Sequence, residues 1–216
     1  MPLPVRLRRT LEDAIQRLPG ERAIWHGPRD LKRVALTFDD GPDDLTPRYL
    51  DVLERYGVAA TFFLMGDLTE ARPDVVGEYL RRGHQVGSHG YDHQRFTEMS
   101  KRELRRQLVK TAEIIGPVPQ GRMWVRPPYG RMGPLEAAIM LAYGHVIGMW
   151  SVDSRDYDPA PAAEIAARCH PSVIQPGDVI LFHEGHDWTL EALPIVIEQL
   201  LGAGYELVTM ADLVAT

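Results

Sequence analysis

The sequence is almost without cysteine. Cys169 stands alone, which excludes an internal disulfide and any thiolate zinc cluster. A metal, if one is bound, has to be held by Asp and His. No apolar run reaches the roughly 18 residues of a membrane-spanning helix. Basic residues are not in excess: 24 Lys and Arg stand against 30 Asp and Glu, a formal charge of −6. That balance gives no electrostatic reason to expect a nucleic acid partner. Residues 1–20 carry several arginines but no continuous apolar core, so they do not read as a secretory signal. A cytoplasmic location is suggested on that ground, and an extracytoplasmic one stays open.

What is present is the composition of a globular domain: 216 residues, 44% hydrophobic and 25% charged. A chain this long can bury roughly 70% of the surface its unfolded form exposes, so no metal is needed merely to hold it together. Near the start, Leu7, Leu11, Ile15 and Leu18 recur at helical spacing among Arg8, Arg9 and Arg17. This helix is expected to pack on the domain rather than to lie on a membrane.

Short apolar or β-branched runs then alternate with helical patterns. Strands are expected near Val34–Phe38, Ala60–Met65, Gln85–Ser88, Trp124–Arg126, Val146–Val152, Val179–Phe182 and Glu206–Thr209. Thr46 is placed to cap a helix that begins at Pro47 and stops at Gly57. Ser100 and Glu103 have capping-box spacing ahead of Leu104, Leu108, Ala112 and Ile115. A third helix runs from Thr189 through Leu193, Ile197 and Leu200 to Gly202 and Gly204. Strand–helix alternation means parallel strands with helices outside. An open doubly wound sheet and a barrel both fit. No glycine-rich dinucleotide or phosphate loop follows the first strand, which removes the main mark of the open sheets. The count is about seven βα units, one short of a full eight-fold barrel.

Polar residues gather at the strand ends. The first strand ends in Thr37-Phe38-Asp39-Asp40-Gly41-Pro42. Two adjacent carboxylates are costly if buried without a cation or hydrogen bonds, although a solvated Asp-Asp-Gly turn is an equal alternative. The third strand runs into Gly87-Ser88-His89-Gly90-Tyr91-Asp92-His93. Two histidines four apart can meet one ion, but eight histidines make that spacing weak evidence by itself. Together with a carboxylate they form a sensible three-ligand site for zinc or another divalent transition metal, with positions left for water and substrate. Arg126, Asp153, Asp156 and His183 close later strands. In a (β/α) barrel that end is the catalytic face, and scattered structural residues would have no reason to share it.

These residues spell TFDDGP, SHGYDH, RPPYG, DSRDY and LFH, in that order, between Thr37 and His183. The chain thereby resembles the polysaccharide deacetylases of carbohydrate esterase family 4, over about residues 33–212. The resemblance implies a distorted (β/α) barrel of fewer than eight strands. It divides the chain into an N-terminal helix and lead-in (1–30) and a catalytic domain (31–216). It implies that Asp40, His89 and His93 bind a divalent metal, zinc first, with cobalt, nickel or iron as options. Asp39 is implied as the general base, with Arg126 orienting it, and His183 as the general acid, with Asp156 orienting that. The Tyr129 N–H is implied in holding the oxyanion, and Leu181 and Tyr157 in lining the acetyl and sugar pocket. Trp188, in the loop after His183, is expected to stack on a sugar ring; Trp150 fits that role or core packing. The expected reaction is removal of N-acetyl groups from amino sugars in a polysaccharide or glycoconjugate by a metal-activated water. Alternatives are a deformylase or other N-acyl amidohydrolase acting on a lipid-linked or small amino sugar, and a non-catalytic glycan-binding descendant. Two positions depart from the family pattern: Tyr157 replaces a usual Trp, and Gly90 a usual Thr or Ser. The oligomeric state is not legible.

Overall fold

The computed structural model describes residues 22–215. The helix expected over residues 1–20 lies outside them. Nine strands form one sheet: β1 (Ala23–Ile24), β2 (Arg33–Asp39), β3 (Thr61–Leu64), β4 (Gln85–Ser88), β5 (Trp124–Val125), β6 (Val146–Gly148), β7 (Val152–Asp153), β8 (Val179–His183) and β9 (Glu206–Leu207). The order is β1-β6-β5-β4-β3-β2-β8-β7, with β9 joined to the start of β2. All named pairs are parallel. The sheet curls into a distorted (β/α) barrel, and an antiparallel bridge from His26 to Asp178 ties the β1 side to β8. Residues Ala23 and Ile24, in the stretch read as a lead-in, thus contribute a strand.

Helices follow the strands: α1 (Thr46–Tyr56), α2 (Gly66–Glu70), α3 (Val75–Arg81), α4 (Lys101–Ile115), α5 (Pro134–Ala142), α6 (Ala162–Arg168), α7 (Asp187–Gly202) and α8 (Met210–Val214). None is long and apolar enough to cross a membrane, among the described residues. The Ser100 cap holds as expected, accepting from the Glu103 N–H at 3.2 Å. The Thr46 cap does not. Leu45 is the cap residue of α1, without a side-chain bond. Asp43 Oδ1 takes the Leu45 and Thr46 N–H groups instead, while the Thr46 hydroxyl donates to Glu184 at 2.8 Å. A buried carboxyl group takes that hydroxyl in preference to a solvated helix end.

Strand alternation divides the core in two. On one face of the sheet, Leu36, Phe38, Phe62 and Phe182 pack with residues of the outer helices such as Leu50 and Leu193. On the other, Ala35, Phe63, Trp124, Val146 and Val179 meet Met210 and Leu213 of α8. Register sets Phe38 opposite Phe62 on one side and Phe182 on the other, and the three rings stack at 4.9 and 5.6 Å. The same register sets Asp39 directly beside His183.

The run Val146–Val152, expected as one strand, is two. Arg126 is the cause: its Nε donates to the Gly148 carbonyl and its Nη2 to the Met149 carbonyl, each at 2.9 Å. Those acceptors are then lost to the ladder, and pairing resumes on β8, where the Ser151 N–H meets the Val179 carbonyl and Val152 faces Ile180. Phe62 is fully buried in the aromatic row, so Phe62→Ala is expected to destabilise the fold by about 3–5 kcal/mol. In a chain of this size that lowers the melting temperature by roughly 6–20 °C, as thermal unfolding would read; an unchanged midpoint would contradict the packing described.

Candidate active site

The C-terminal strand ends open into a cleft of about 470 Å³. Asp39 reaches it from β2, Asp40 from the turn that follows, His89 and His93 from the turn after β4, Tyr129 from the turn after β5, and Leu181 and His183 from β8. The backbone here is bent to purpose. Asp40, His93 and Tyr129 all adopt left-handed φ angles, of 70°, 56° and 59°. Non-glycine residues rarely do so, and such strain persists only where the surroundings enforce it. Gly90 has φ +82°, and a Cβ there would press on the Phe96 ring at 3.1 Å. The departure from Thr or Ser at this position therefore follows from the turn this chain uses. Ser88 Oγ closes that turn by accepting from the Gly90 N–H at 3.2 Å.

Asp40 Oδ1 lies 3.5 Å from His89 Nε2 and 3.3 Å from His93 Nε2. It is buried and has no hydrogen-bond partner, a costly state for a carboxylate oxygen. His89 Nδ1–H donates to the Arg126 carbonyl at 2.9 Å, which leaves Nε2 bare and turned toward Asp40. Burial pulls the His89 imidazole down to about 3 against the pull of Asp40, so the ring is neutral at any working pH. Ligand atoms about 2.1 Å from a tetrahedral ion stand roughly 3.4 Å apart. An orphaned oxygen and a bare imidazole nitrogen, with all three groups within 4.8 Å of one another, fit a divalent cation.

Asp39 is held apart from that cluster. Its Oδ1 accepts from Arg126 Nη1 at 2.8 Å, and its Oδ2 stands 3.7 Å from His89 Nε2. Burial raises the Asp39 carboxyl above the ordinary carboxylate value, and the Arg126 charge works against that rise. A raised value makes it a better proton acceptor. Arg126 has no exposed surface. It also donates to Thr37 Oγ1 at 2.9 Å and lies over the Phe63 ring at 4.1 Å. On the facing wall, Asp156 Oδ1 takes His183 Nδ1–H at 2.7 Å. Its Oδ2 accepts from the His183 backbone N–H and the Thr189 hydroxyl, both at 2.8 Å.

The chain matches the family model described as polysaccharide deacetylase over residues 26–148. The chain belongs to the polysaccharide deacetylase family. Membership sets it among carbohydrate N-deacetylases, hydrolases of the amide bond, within carbohydrate esterase family 4. A peptidoglycan-N-acetylglucosamine deacetylase of Bacillus cereus is 36% identical over 201 residues, 89% of this chain and 72% of that protein. The Listeria monocytogenes enzyme of the same name is 37% identical over 187 residues, but those make up only 39% of its length. Among solved structures, a peptidoglycan N-acetylglucosamine deacetylase superposes with a TM-score of 0.87 at 33% identity, covering 95% of this chain and 97% of that one.

The structure brings together nearly all of the residues that the family motifs single out. Arg126 and Asp156 sit behind the cleft, both fully buried. Tyr157 forms an exposed wall, edge-on to the His183 ring at 5.7 Å. Trp188 does not line the cleft. Its Nε1 donates to the Asp156 carbonyl at 2.7 Å, and its ring stacks on His186 at 4.6 Å, so it braces Asp156 from behind. Trp150 does line it, seated against Gly130. Arg95 and Arg131 also line the cleft, and Arg95 lies over the Tyr129 ring at 4.4 Å. Sequence reasoning passed over both, although each stands within two residues of a family motif.

His183 has a distinctive titration. Burial alone would lower it, but the Asp156 hydrogen bond and charge, with Asp39 and Asp40 beyond, carry it up to about 9. The ordinary value is 6.5. The pair therefore stabilises the fold fully below pH 6.5 and loses that contribution as pH rises through about 9. Ring titration by NMR in metal-free protein should place His183 near 9, and about 1–3 pH units lower in Asp156→Asn. An unshifted titration in that variant would sink the assignment of Asp156 as its partner.

Proposed function

We propose that this protein is a divalent-metal-dependent N-deacetylase that releases acetate from N-acetylglucosamine residues of a glycan strand, peptidoglycan first. The observation that carries the reading is the division of labour between two adjacent aspartates. Asp40 faces the two imidazoles, whereas Asp39 is clamped by Arg126 with one oxygen left over. The relatives named for peptidoglycan N-acetylglucosamine support the substrate. The presence of base, acid, ligands and both orienting residues weighs against a non-catalytic glycan binder.

Asp40, His89 and His93 would hold the ion. When bound there, it supplies a Lewis acid that lowers the pKa of water and polarises the acyl oxygen. The rest is done by side chains. Asp39 Oδ1 is occupied by Arg126, so Oδ2 is the oxygen free to take a proton from the attacking water. His183 has Nδ1 committed to Asp156, which leaves Nε2 to protonate the departing nitrogen. A ring that titrates near 9 is charged at neutral pH and can act as the acid. Base and acid sit across one cleft because β2 and β8 are neighbours in register. Leu181, buried at the cleft floor, offers an apolar seat for the acyl methyl, and Tyr157 and Trp150 offer faces for sugar rings.

The test is acetate release from N-acetylglucosamine oligomers, peptidoglycan fragments and N-formyl amino sugars, with zinc, cobalt, nickel or iron added in turn. Acetate from the first two supports the reading; formate alone would replace it with a deformylase. Asp39→Asn is expected to keep its metal and lose about 10²–10⁴-fold in kcat. His89→Ala and His93→Ala are expected to lose the metal itself. Wild-type metal content in both histidine variants would contradict the ligand set.

A further inference from the structure

One buried acid has no part in the chemistry above. Glu184 follows His183 and is only 3% exposed. Strand alternation turns its side chain away from the cleft and under the segment that links β2 to α1. Its Oε1 accepts from the Thr46 hydroxyl at 2.8 Å and from the Tyr79 hydroxyl at 3.0 Å. Its Oε2 accepts from Tyr79 at 2.8 Å. No Lys, Arg or His bonds to it among the described residues. A cation-free buried carboxyl is expensive, so its retention calls for a reason.

The reason lies in what it touches. The Glu184 N–H donates to the Asp39 carbonyl at 2.9 Å. A Cβ on Gly41 would fall 1.7 Å from Glu184 Oε2, so the carboxyl fills the notch that a side chain at 41 would occupy. Gly41 directly follows Asp40, whose backbone is in the left-handed region. Asp39 and Gly41, on either side of Asp40, are thus both held by one residue, through its N–H and through its carboxyl. Thr46 carries the grip further, since its hydroxyl also accepts from the Asp43 N–H at 2.9 Å.

We propose that Glu184 is a positioning residue: wedged against Gly41 and tied to Thr46 and Tyr79, it holds the Asp39–Gly41 strap in the strained conformation that aims Asp40 at the metal. Burial pushes the Glu184 carboxyl up to about 8, with the charges of Asp43 and Asp40 adding to the rise. Burial beside Glu184 also keeps the Tyr79 hydroxyl protonated, as a donor. The inference rests on the reading of Asp40, His89 and His93 as a metal site.

The experiment measures zinc affinity, by competition with a chromophoric chelator, together with thermal unfolding of the metal-free chain. Wild-type protein, Glu184→Gln, Glu184→Ala and the double variant Thr46→Val/Tyr79→Phe are compared. Glu184→Gln keeps the shape and the acceptor, and its zinc affinity is expected to stay close to wild type. Glu184→Ala is expected to weaken zinc binding about 10–100-fold, as loss of a group that orients ligands does. The double variant removes both donors without carving a large cavity and is expected to weaken zinc binding in the same direction. Should Glu184→Ala fail to fold, the double variant decides the matter alone. A lowered melting temperature with unchanged zinc affinity in the variants that fold means that Glu184 only fills space, and overturns the proposal. Absence of zinc binding in the wild-type chain would instead overturn the metal site itself, and this inference with it.

Discussion

Arg126 is the side chain on which the site is built. Its guanidinium is wholly buried, yet every direction it faces is answered: Asp39 and Thr37 of β2, the Gly148 and Met149 carbonyls at the end of β6, and the Phe63 ring. A planar fork with five donors can meet that many acceptors at once; an ammonium cannot. A buried cation left without its carboxylate is destabilising by several kcal/mol, and so is the reverse. Each partner therefore fixes the other. Arg126 also offers its own carbonyl to His89 Nδ1–H. One residue thus sets the orientation of the proposed base through its side chain and that of a proposed metal ligand through its backbone.

That arrangement explains how two neighbouring aspartates serve different ends. Successive side chains of a strand point to opposite faces, but Asp40 has left the strand and turned left-handed. The turn brings its carboxylate to the same cleft as Asp39, facing the histidines rather than the arginine. His93 and Tyr129 turn in the same way on the far side. Strain of this kind is stored at sites whose groups must be in place before substrate arrives. It survives because the layers beneath do not yield: the aromatic row under β2, and the Asp156 network under His183.

Much of this was legible in the sequence. Strand–helix alternation and the absence of a phosphate loop led to the barrel. The polar residues of the motifs were legible because they sit at strand ends, where chain order and catalytic face coincide. What stayed hidden depends on long-range competition for polar groups. Thr46 has the position of a helix cap, but its hydroxyl goes to a carboxyl 138 positions away. The run from Val146 has the pattern of one strand, but Arg126 takes the carbonyls that would have continued it. Trp188 has the place of a sugar-stacking ring, yet its indole N–H is drawn to the Asp156 carbonyl. Strand β1 is too short for any periodicity to show. Glu184 carries no local signal beyond its place after His183.

The arrangement rests on the Arg126 charge, which opposes the rise that burial imposes on Asp39, and on the Arg126 bond that holds Asp39 Oδ1 away from the proposed metal ligands. The acid limb of the kcat/KM profile in Arg126→Gln, with zinc content determined alongside, tests it most directly. Removing a cation that opposes the burial of Asp39 raises that carboxyl further, so the limb is expected to move to higher pH, by about 1–3 units, with zinc retained. An acid limb that stays where it is in the zinc-loaded variant would contradict the account.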